Sequence, residues 1–163
     1  MIYVLAGLLR STLFFVTLLL AVPAAADAFT YVRLGGVNVE GSSRDNPLNL
    51  ALNFGYELES YVADLSLAAE INRTIDDGEA NRGGELEFES NGIYLVYKST
   101  RSLFVVGRIG VVENKIIKRG NTERSDGFAL GGGIGVVVGR TRLQLELTSY
   151  TGHAKFFTLG LQF

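Results

Sequence analysis

The chain has 163 residues, enough for one domain, and no cysteine, which excludes a disulfide framework and a thiolate metal site. Its formal net charge of −2 argues against an electrostatic nucleic-acid surface. Hydrophobic residues make up 47% of it, yet beyond the N-terminal stretch no apolar run approaches the ~20 residues of a membrane-spanning helix.

Residues 1–26 read as a cleaved export signal. Arg10 is their only positive charge, Leu13 to Val22 carry none, and Pro23 and a run of alanines follow. Ala24–Ala26 and Ala26–Ala28 both fit a small-x-small cleavage site, so the cut is expected after Ala26 or Ala28. A retained anchor is the rival reading, but Pro23 and the alanines suit a peptidase better than a continuing helix. Residues 27–163 are then one exported domain.

Nearly all of that domain alternates between apolar and polar residues. The alternating segments are 29–37, 48–58, 62–72, 85–98, 102–112, 127–139, 142–150 and 154–163. Period-2 alternation over such lengths predicts strands, and no stretch offers a competing helical period. The connectors also alternate. Those at 59–61, 99–101 and near 141–142 are short, whereas 38–47, 73–84 and 113–126 are longer and polar. Hairpins long on one side and short on the other fit a barrel in the outer membrane, with short periplasmic turns and longer outside loops. The expected fold is all-β, an eight-stranded antiparallel up-and-down transmembrane β-barrel with both termini in the periplasm.

Charge placement tells this barrel from a soluble one that hides its apolar face inside. The more apolar parity carries Leu48, Leu50, Leu52 and Phe54, then Leu65, Leu67 and Ile71, and later Leu143, Leu145 and Leu147. Ionisable residues assigned to that parity fall only where strands run out: Arg73, Lys98, Glu113, Asp126, Arg140 and Lys155. The opposite parity is small and polar, with Asn49, Asn53, Ser66, Gly131, Gly133, Gly135 and Gln144. A solvated face would be studded with lysine, and the chain has only four. Arg33, Glu70, Arg108 and Glu146 sit mid-strand on the inner parity, two of each sign. In a narrow lumen such charges must pair.

With signal, strands, loop asymmetry and a terminal Phe163 in hand, the chain resembles the small outer-membrane β-barrels of Gram-negative bacteria, the OmpA membrane domain and the OmpX/Ail-type proteins. The likeness spans residues 27–163 and is most specific in the last strand. Its Phe157, Leu159, Leu161 and Phe163 look like the C-terminal signal that the barrel-assembly machinery reads in such proteins. The resemblance implies a location in the outer membrane among lipid and lipopolysaccharide, and a polar lumen network of Arg33, Glu70, Arg108 and Glu146. No nucleic-acid partner and no cofactor are expected, and the barrel is expected to be a monomer.

Chemistry finds little support. Outer-membrane acylases and deacylases rely on histidine, and the single one here, His153, lies in the last short connector beside Thr151, while Ser149 has lipid-facing parity. No catalytic set is therefore assigned. The glycines of 130–139 miss the G-x-G-x-x-G spacing and lack a strand-to-helix context; inward glycines that make room for larger side chains opposite account for them better. Acidic residues at 76–89 lack EF-hand spacing, so no metal site is assigned. The reading is a structural or surface-interaction protein of the envelope with a plugged lumen. The alternatives are a narrow porin-like channel, an adhesin acting through its outer loops, and a soluble periplasmic barrel.

Overall fold

The computed structural model describes residues 28–41, 43–58, 64–151 and 154–162. Eight long strands form the wall: β1 (Ala28–Val39), β2 (Leu48–Glu57), β3 (Leu65–Asp76), β4 (Glu85–Lys98), β5 (Leu103–Lys118), β6 (Asn121–Val138), β7 (Thr141–Tyr150) and β8 (Ala154–Gln162). Each pairs antiparallel with the next. β8 returns to β1 over the register Tyr31↔Gln162 to Val39↔Ala154, which closes the sheet into a barrel. The described residues contain no helix.

Alternation fixes which side chains face which way. On the outer wall stand Leu34, Phe54, Ile71, Leu95, Ile109, Phe128, Leu130, Ile134, Leu145, Leu147 and Leu159, all substantially exposed; Leu103 reaches 70%. Leaving a side chain of this kind in water rather than burying it costs about 1.5–3 kcal/mol. A continuous belt of them is stable only against lipid or detergent.

Two expectations need correction. Residues 113–126 are not a loop. β5 and β6 run on through them and turn at Arg119–Gly120, both with positive φ (53° and 77°), in the tight geometry that suits a twisted hairpin. The polar composition of the segment hides its alternation, for Asn114 and Ile116 are buried while Glu113 is exposed and Lys115 half-buried. Lys98 does not lie on the outer parity either. In β4 the inward set is Leu86, Phe88, Ser90, Gly92, Tyr94, Val96 and Lys98, all buried.

Around the hairpin the outer loops become a small sheet. A short strand Ser43–Asp45 pairs with a second one, Gly78–Ala80, and that pairs with the start of β4. Arg119 at the hairpin tip donates from Nε to the Gly83 carbonyl at 2.7 Å, tying the third outer segment to the second. Lys115 bridges to Glu89 of β4 at 3.2 Å.

Candidate functional site in the barrel lumen

The lumen has three storeys. Nearest the termini are Phe29, Tyr31, Phe104, Val106 and Lys98. At the other end Val37, Leu86, Phe88 and Phe156 are completely buried, with Tyr150 and Ile116 beside them. Between the two lies a cluster of charges.

Arg33 comes from β1, Glu70 from β3, Arg108 from β5 and Glu146 from β7, so every second stave contributes one side chain and the sign alternates. All four possible pairs of opposite charge are made. Arg33 binds Glu70 and Glu146 directly, Arg108 Nη2 lies 2.8 Å from Glu70 Oε2, and Arg108 Nη1 lies 3.1 Å from Glu146 Oε1. The result is a closed ring of no net charge, with no side chain more than 2% exposed.

Neutral groups hold the ring in place. Tyr150 Oη donates to Glu70 Oε1 at 3.2 Å, and Tyr94 Oη lies 3.4 Å from the same oxygen. Thr148 Oγ1 donates to Glu146 Oε1 at 2.9 Å, and Gln144 Nε2 to Glu146 Oε2 at 3.0 Å. The Arg108 guanidinium stacks 3.6 Å from the centre of the Tyr94 ring, and that of Arg33 lies 5.2 Å from the Phe156 ring. Such contacts matter because a buried ion pair is tolerated only when its remaining hydrogen-bonding capacity is met.

Each ring residue has a glycine opposite it in register. Arg33 is paired across the sheet with Gly160, Glu70 with Gly92, Arg108 with Gly131 and Glu146 with Gly133. Each charged residue on an odd-numbered stave therefore has a glycine on an even-numbered neighbour. At Gly131 a Cβ would stand 2.7 Å from Arg108 Cγ and 2.9 Å from Thr148 Oγ1, closer than atoms pack. Arg108 thus leans across space that a side chain at 131 would fill, while at Gly160 the space is taken by the Tyr31 ring and at Gly92 by Val112 and Tyr94.

The remaining candidates do not join this cluster. Phe157, Leu159 and Leu161 stand on the outer face of β8. Phe163, His153 and the signal residues 1–26 lie outside the described residues. Ser149 points outward, and the Thr151 hydroxyl is engaged with the Phe128 backbone, accepting from its N–H at 2.9 Å and donating to its carbonyl at 2.8 Å. Among the acidic residues, the carboxylates of Asp77, Glu85 and Glu87 lie within 4.8 Å of one another on the outer sheet. Partial desolvation, and then the charges of Asp77 and Glu89, raise the Glu87 carboxyl above its usual range. Sequence reasoning missed Lys98 as an inward residue. Its ammonium binds Gln162 Oε1 and lies 5.0 and 5.2 Å from the rings of Phe29 and Tyr31.

A closed eight-stave antiparallel meander has counterparts among solved structures. The fold is that of the small outer-membrane barrels. The Neisserial surface protein A (NspA) aligns at 12% identity over 85% of this chain and 97% of its own, with a TM-score of 0.54. The outer membrane protein OprG from Pseudomonas aeruginosa aligns at 11% identity over 85% and 96%, with a TM-score of 0.53. A de novo designed barrel, TMB2.3, aligns at 19% identity over 85% and 93%, with a TM-score of 0.52. No family model matches the sequence, and no curated protein matches it. At these identities the likeness is one of fold alone, and fold does not imply function.

Proposed function

We propose that the protein is an integral outer-membrane barrel with a structural role in the envelope, exported by the signal at 1–26, its lumen plugged rather than conducting. The observation that carries this reading is the neutral Arg33–Glu70–Arg108–Glu146 ring, which spans an interior only wide enough for side chains. Above it Val37, Leu86, Phe88 and Phe156 are completely buried, which supports a filled interior. Lipid and lipopolysaccharide surround the belt. The outward Phe157, Leu159 and Leu161, with Phe163 following, serve as the signal for the barrel-assembly machinery, and the barrel acts as a monomer without enzymatic activity. Planar-bilayer recording tests the central claim: the purified protein should give no steady conductance, and a large, stable one defeats the plugged lumen in favour of a narrow channel.

A second reading, surface interaction, is favoured by the long β5–β6 hairpin. Its residues 121–126 are exposed and pair on one side only, with β5. Shortening the hairpin between Glu113 and Asp126 should abolish any binding to cells or matrix while leaving the barrel folded. Retained binding would turn attention away from it.

A further inference from the structure

Where the outer sheet leaves the barrel, an open groove of about 680 Å³ crosses the wall from β3 to β6. Cross-strand register gives it two parallel sides. Ile93, Val111 and Phe128 form one row, and Phe128 is 67% exposed. Asn91, Glu113 and Asp126 form the row above, nearer the outer sheet. The volume is that of a small-molecule site.

The upper row is electrostatically unfinished. Glu113 and Asp126 stand directly opposite each other, and like charges so placed repel. Arg124 Nη1 lies 3.9 Å from Glu113 Oε1, too far for a hydrogen bond, and both side chains are more than half exposed. Among the described residues Asp126 makes no ion pair. Two carboxylates and one arginine thus face an apolar row across a single groove.

We propose that this groove seats a phospholipid with a primary ammonium headgroup. The ammonium lies between Glu113 and Asp126, the phosphate reaches Arg124, and an acyl chain covers Ile93, Val111 and Phe128. The level suits such an occupant, because the exposed side chains change here from apolar to charged, as a lipid changes from chain to headgroup. The charges select among lipids. An anionic headgroup without an amine would meet two carboxylates and gain one arginine, whereas the ammonium removes the repulsion between Glu113 and Asp126. A headgroup without chains would leave the apolar row uncovered.

The site rests on the reading that the belt faces lipid and is independent of the plugged lumen. Protein that stays dispersed without detergent defeats that reading. The site itself is tested on folded, detergent-solubilised protein by native mass spectrometry, with phosphatidylethanolamine and phosphatidylglycerol of identical chains offered in equal amounts. The ethanolamine lipid should be retained about fivefold over the glycerol lipid, the size of one exposed ion pair. Glu113→Gln with Asp126→Asn should remove the preference, while Glu123→Gln, an exposed carboxylate outside the groove, should leave it intact. If the double variant does not fold, Asp126→Asn alone should reduce the preference. Equal retention of the two lipids by the unmodified protein overturns the site, as does a preference that survives in the folded double variant. A preference lost equally in Glu123→Gln reduces it to the general charge of the outer sheet and also overturns it. Phosphoethanolamine without acyl chains should not displace the lipid at equal concentration, and displacement would overturn the part assigned to the apolar row.

Discussion

The lower barrel and the outer sheet are built from the same strands but are opposite in dress. Around the ring, β5 turns Arg108 inward and Val105, Ile109 and Val111 outward; further along the same strand it turns Ile116 inward and exposes Glu113. β4 does likewise, with Leu86 and Phe88 inside and Glu85, Glu87 and Glu89 outside, then Ile93, Leu95 and Tyr97 on the outer face below. The pleat never changes, but the solvent does. Where the wall meets lipid the polar parity must hide, and where it meets water the apolar parity must. The level at which the parities exchange roles, near the row Asn91, Glu113 and Asp126, marks the end of the bilayer band.

Removing one member of the ring should break the lower region hardest. Arg108→Leu leaves Glu70 and Glu146 sharing one arginine, and a stranded buried charge costs about 3–5 kcal/mol, read as a lower urea midpoint in detergent. Unchanged stability would mean that the lumen is wetter than the ring implies. Next comes the outer face. Ile134→Arg, in mid-band, should cost about 2–4 kcal/mol, whereas Thr122→Arg on the outer sheet should stay within about 0.5 kcal/mol. Equal costs at the two sites would erase the distinction between lipid-facing and water-facing wall. Filling the glycine opposite Arg108 is smaller again. Gly131→Val should cost about 1–3 kcal/mol through overpacking, and the double change Gly131→Val with Arg108→Leu should recover part of it.

The smallest effect belongs to pH in the outer sheet. Glu87 binds its proton more tightly in the folded protein than its ordinary value of 4.5. Folded protein therefore holds more protons than unfolded above that value, and stability falls as pH rises through the raised pKa. Glu87→Gln should flatten this dependence in unfolding midpoints measured between pH 4 and 7. A dependence that survives the substitution would assign it to another carboxylate.

Much of the barrel can be read from alternation alone, because a closed sheet between lipid and a narrow lumen leaves each residue only two environments. The strands around Leu50, Leu67 and Leu145 announce themselves in this way. Alternation fails where the two environments trade places. Counting parity along the whole of β4 lets Leu86 and Phe88, which stand above the bilayer, outvote the lower half, and that is how Lys98 is assigned to the wrong face. In 113–126 both parities are largely polar, so the hairpin reads as a loop although its pairs run on to Lys118↔Asn121. The charges at Arg33, Glu70, Arg108 and Glu146 can be picked out by parity. That each one faces a glycine cannot, because cross-strand register is a property of the closed sheet and not of any one segment.

The placement of one charge on every second stave also limits what sizes of barrel this sequence could evolve toward. Each hairpin-sized unit contributes a single sign, in the order plus, minus, plus, minus around the wall. Deleting or duplicating one unit would leave an odd number of charges in the ring, with one of them unmatched. Growth or shrinkage of the barrel by one hairpin thus carries an electrostatic cost before any question of strand curvature arises.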